Sequence, residues 1–121
     1  MLGAGTLQLG QSYALDWYYF NQSTTQETEM RLQLGWWGGW PVLLNEASPD
    51  LNIPKDRWVH LRLEFTISAA GEFSYILKVD GEDSISGIAG TEPNAPSQIS
   101  FYFNSGGGRV YLSDVAIARV S

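Results

Sequence analysis

Apolar and polar residues alternate with a period of two along most of this chain, and no stretch carries a helical period. In SYALDWYYF, Tyr13, Leu15, Trp17 and Tyr19 fall on one side, with Tyr18 and Phe20 on the other. EMRLQLGW sets Met30, Leu32, Leu34 and Trp36 against Arg31, Gln33 and Gly35. The clearest run is WVHLRLEFTI, where Val59, Leu61, Leu63, Phe65 and Ile67 alternate with His60, Arg62, Glu64 and Thr66. FSYILKV and QISFYFN repeat the pattern. RVYLSDVAIARV changes phase between Leu112 and Val115, as a bulge at Ser113–Asp114 would produce.

Turn signals separate these runs. The stretch 21–28 reads as a polar loop, and NEASPDLNIPKD as a longer one with two prolines. SAAGE is expected to close a hairpin between Ile67 and Phe73, and Asp80-Gly81 is a favoured two-residue hairpin turn. Seven to nine such strands, each apolar on one side, predict a single all-β domain over residues 1–121. Its two antiparallel sheets pack face to face as a β-sandwich, with jelly-roll topology expected.

Composition narrows the function. At 121 residues the chain can bury a core without staples. A net charge of −6 argues against a nucleic-acid partner and against an anionic membrane surface. No apolar run approaches the roughly 20 residues of a membrane helix, so no membrane insertion is expected. The absence of cysteine excludes disulfides and thiolate metal sites. The opening MLGAGTLQLG lacks the basic and apolar regions of a signal peptide, as a domain cut from a longer chain would.

The segment RWVHLRLEFTISAAGEFSYILKVDGE resembles the concanavalin-A-like, laminin-G-like jelly-roll superfamily. Its Trp58-Val59-His60 and Val79-Asp80-Gly81 match that superfamily's W-x-H and V-D-G, and GGGRVYLSDVAIARV resembles its closing strand. The resemblance covers about residues 57–120. It implies a recognition module, extracellular or at the cell surface, with a glycan on one sheet face or its rim. The S-D-V-A-I ending is also similar to sugar-binding jelly rolls of galactose-binding-like topology. By that likeness Asp114 would supply a carboxylate to a structural calcium ion, although it could equally cap the bulge.

Sugars call for flat side chains under their C–H faces and polar groups for their hydroxyls. His60, Arg62 and Glu64 share one side of their strand. Together with Arg31, Gln33, Tyr102 and Asn104 they are the candidate hydroxyl partners, on the expectation that these strands are neighbours. Trp37 and Trp40, in GWWGGW, and Tyr18 are the candidate stacking surfaces, whereas Trp36 follows the core phase.

Catalysis is poorly supported. A glycosidase needs two flanking carboxylates, and no Glu-x-Asp-x-Glu triplet occurs. An alginate-lyase-like reading would use Arg31, His60 and Tyr102. Glu27, Trp58 and Asn104 stand where that pattern has Arg, Gln and Lys. The sequence therefore favours a non-catalytic carbohydrate-binding module. The alternative is a self-assembling or protein-interaction sandwich forming a homo-oligomer or larger assembly, with a polysaccharide-active enzyme a distant third.

Overall fold

A computed structural model describes residues 7–22, 29–35, 42–46, 51, 53–91, 98–104 and 109–120. Eight strands form there: β1 (Gln11–Gln22), β2 (Glu29–Gly35), β3 (Val42–Asn45), β4 (Val59–Ile67), β5 (Glu72–Val79), β6 (Glu82–Thr91), β7 (Gln98–Asn104) and β8 (Arg109–Arg119). They make a five-stranded sheet in the order β6-β5-β4-β1-β8 and a three-stranded sheet in the order β3-β2-β7. All the strand pairings are antiparallel.

This order supports the two-sheet sandwich and stops short of the jelly roll. The β1–β8 and β2–β7 pairings join strands distant in the chain, as a roll does, while β4, β5 and β6 follow one another in a single sheet.

The alternation is explained by burial. Tyr13, Leu15, Trp17 and Tyr19 of β1, Met30, Leu32 and Leu34 of β2, and Val59 to Ile67 at every second position of β4 are buried in one core. Within it Phe65 stacks between Tyr13 and Phe73, and Trp17 meets Phe101 of the facing sheet edge-on at 5.3 Å. The core continues under Leu51 and Ile53 of the segment preceding β4.

Both expected hairpins form. Ile67 pairs with Phe73 across the Ser68–Gly71 turn. Val79 pairs with Glu82, and Asp80 and Gly81 between them both take positive φ, 51° and 86°. That is the two-residue turn whose twist matches antiparallel strands. The phase change in β8 is a bulge: Asp16 faces Ala116 but Tyr18 faces Ser113, so Asp114 and Val115 together oppose Trp17. Asp114 has φ 55°, a conformation that Asp tolerates better than most side chains.

A buried polar knot ties the two sheets at one end. The Glu46 carboxylate, just after β3, accepts hydrogen bonds from the Tyr19 hydroxyl, the Asn21 amide and the Met30 backbone N–H. Each buried donor thereby finds the partner it needs.

Candidate functional site: the outer face of the five-stranded sheet

Cross-strand partners share a face, so the registers map the outer side of the large sheet row by row. At one end Tyr111 of β8 lies opposite Phe20 of β1, and Trp58 just before β4 comes next. The following row holds Ser113, Tyr18, His60 and Asp80. Then come Ala116, Asp16, Arg62, Lys78 and Asp83. Ala118, Ala14, Glu64, Ile76 and Ser86 make the fourth row, and the far end carries Val120, Ser12, Thr66, Ser74 and Ile88.

The first two rows form an aromatic ridge. Phe20 meets Trp58 and Tyr111 edge-on, at 5.6 and 6.0 Å, and Tyr18 lies nearly parallel to His60 at 5.0 Å. Tyr18, Trp58 and Tyr111 nevertheless stay 41%, 49% and 44% exposed. Large rings held in a contiguous exposed group commonly mark a contact surface.

An ionic row borders the ridge. Asp16 receives His60 Nε2 at 2.8 Å and Arg62 Nη1 at 3.0 Å through its two oxygens. Arg62 Nε donates to Glu64 at 2.9 Å, and Lys78 lies 3.6 Å from the same carboxylate. The hydrogen bond from Arg62 holds Glu64 below the usual carboxylate range, with Lys78 adding to it, and it raises Arg62 in turn. Beside Trp58, Arg57 donates to Asp80 at 2.8 Å, and the His60 backbone N–H donates to its other oxygen at 3.0 Å. Both bonds lower Asp80, that from Arg57 the more.

The structure divides the residues that the sequence proposed for one site. Tyr18, His60, Arg62 and Glu64 are together on this face. Arg31 and Gln33 belong to β2, and Tyr102 and Asn104 to β7, so they are in the other sheet, where Arg31 pairs with Tyr102. The expectation that these strands neighbour β4 is therefore corrected. Alternation fixes which side of a strand faces outward but not which sheet the strand joins. The same separation keeps Arg31 and Tyr102 away from His60, so the lyase-like trio is not assembled. Trp36, Trp37 and Trp40 lie outside the described residues.

Asp114 is exposed at the β8 bulge, and its positive φ accounts for its place there. Calcium takes about six to eight oxygen ligands. Among the described residues no group of three or more His, Cys, Asp or Glu side chains forms. No role is assigned to an ion.

Sequence did not single out Trp58, Tyr111 and Asp16 for the site, nor the flanking Arg57, Lys78 and Asp80. Trp58 had a usable signal, since it stands two residues before His60 and so shares its side. Tyr111 and Asp16 reach the site only through the β1–β8 and β1–β4 pairings.

No family model, characterised protein or solved structure matches the chain.

Proposed function

We propose that this chain is a non-catalytic carbohydrate-recognition module that works outside the cell or at its surface. One observation carries the reading. Tyr18, Trp58 and Tyr111 stay nearly half exposed while Phe20 and His60 hold them in place on and beside paired strands. A preset aromatic surface loses little freedom on binding, and its flanking Asp16, Arg62 and Glu64 supply donors and acceptors for hydroxyl groups. The likeness of residues 57–120 to laminin-G-like jelly rolls points the same way.

Catalysis is not part of the proposal. A glycosidase acid needs a carboxyl raised toward neutral pH, whereas Arg62 shifts Glu64 in the opposite direction. The test is a screen of soluble and insoluble polysaccharides, read by co-sedimentation and tryptophan fluorescence. Trp58→Ala should weaken binding about tenfold or more with an unchanged far-ultraviolet spectrum. Silence over a broad panel would remove the reading.

A second reading, self-assembly, has its own observation. Phe101, Phe103, Val110, Leu112 and Ile117 are only partly buried along the β7–β8 side of the sandwich. A solution mass that stays monomeric at rising concentration would dispose of it.

A further inference from the structure

The aromatic ridge occupies one end of the outer face, and the opposite end is shaped differently. There a groove of about 670 Å³ starts at Arg62 and Glu64 of the ionic row and runs to the far end of the sheet. Its walls carry the hydroxyls of Ser12, Thr66, Ser74 and Ser86. Ser12 and Thr66 are within 2.7 Å of each other. Exposed Ile88 and Val120 close its two sides.

We infer that this groove is a second subsite for the same ligand, which is a linear, uncharged polysaccharide lying along β1 and β4 from the aromatic ridge to the hydroxyl groove. The inference rests on the glycan reading above and goes further by fixing the ligand's charge, shape and direction.

Three observations lead there. Phe20 and Ser12 mark the two ends on one strand, roughly 26 Å apart at the usual strand rise. A single sugar ring cannot cover that length, whereas an extended chain can. Hydroxyls interspersed with aliphatic side chains suit a polyol, whose surface alternates O–H and C–H groups.

Charge supplies the third. Arg57, Arg62 and Lys78 on or beside this face are each paired with a carboxylate, and His60 is hydrogen-bonded to Asp16. A uronate or sulfated polymer would have to break those pairs, and it would approach a chain of net charge −6. An uncharged chain keeps the pairs and uses their remaining lone pairs and protons.

The experiment is calorimetry on the full chain with size-graded oligomers of β-glucan, xylan and galactomannan, beside polygalacturonate oligomers of matched length. Affinity for a neutral series should climb about tenfold once the oligomer is long enough to engage both ends. Ser74→Glu should abolish that gain without changing affinity for the shortest binding oligomer. Ile88→Glu, at an exposed edge position where folding is not in question, should do the same. Equal affinity for short and long oligomers would overturn the inference while leaving the ridge as a glycan site. So would long-oligomer binding untouched by either variant, or polygalacturonate bound as tightly as the neutral series. If no oligomer of any length binds, the glycan reading fails and this inference falls with it.

Discussion

Tyr18 lies over His60, its register partner on β4, with ring centroids 5.0 Å apart and planes 28° from parallel. One ring faces solvent and the other is fixed from behind by Asp16. The exposed surface of Tyr18 is thus held by a chain of two contacts. Stacked aromatic pairs contribute about 0.5–1.5 kcal/mol beyond the area they bury. His60→Ala should therefore weaken glycan binding by about three- to tenfold and lower Tm by a few degrees. His60→Phe, which keeps a ring under Tyr18, should recover most of the loss. Titration of both variants with the same oligosaccharide checks this.

The Glu46 knot should matter for stability and not for binding. Glu46→Ala leaves the Tyr19, Asn21 and Met30 donors buried without their acceptor, a loss of about 3 kcal/mol or more. Glu46→Gln keeps an acceptor but turns an amide toward the Asn21 donor, and should cost about 1–2 kcal/mol. Urea unfolding of both variants, with the slope unchanged, measures these values.

Trp17 gives a contrasting case. It is fully buried, and among the described residues its indole N–H meets no hydrogen-bond partner. Trp17→Phe removes an unsatisfied donor along with part of the ring, so the two effects oppose each other. The expected loss is about 1 kcal/mol, against about 3–5 kcal/mol for Trp17→Ala. Chemical denaturation of the pair would reveal whether that donor is a real liability.

Acid should unfold the protein in a predictable direction. Glu64 and Asp80 are both held below their usual range, so the unfolded chain binds protons before the folded one does. Their contribution is complete above about pH 5 and is lost as pH falls through about 4 and below. Both side chains are more than a third exposed or close to it, so each contributes well under about 1 kcal/mol. Tm should be flat from neutral pH to about 5 and fall below that. The double variant Glu64→Gln with Asp80→Asn should show a shallower fall.

At the β8 bulge, Asp114→Gly should be neutral or slightly stabilising, because glycine adopts positive φ freely. Asp114→Val should cost about 1–2 kcal/mol. Tm should be the same with excess calcium and with chelator. A calcium-dependent rise that Asp114→Asn abolishes would instead place an ion there.

Most strands could be read directly because each buries one side only, which forces apolar residues to every second position. Val59, Leu61, Leu63, Phe65 and Ile67 show this most plainly. The two hairpins were equally legible, since Asp80-Gly81 encodes a local turn that needs no distant partner. Which strands become neighbours depends on contacts far apart in the chain. That is why His60 was placed on the correct face but grouped with Arg31 and Gln33 of the other sheet. Tyr18 was expected among the stacking residues and does stand exposed. Its companions Trp58 and Tyr111 come from sequence positions 58 and 111, brought together by β1 between them.

Strand β8 runs 11 residues along the rim of the large sheet. A straight strand of that length would offer an incoming chain an unbroken ladder of peptide groups. The kink at Asp114 cuts the ladder into two short runs and sets a carboxylate between them. Many copies could then crowd together without zipping edge to edge into fibrils. A substitution that straightened this rim would leave the aromatic outer face intact and make the protein prone to aggregate.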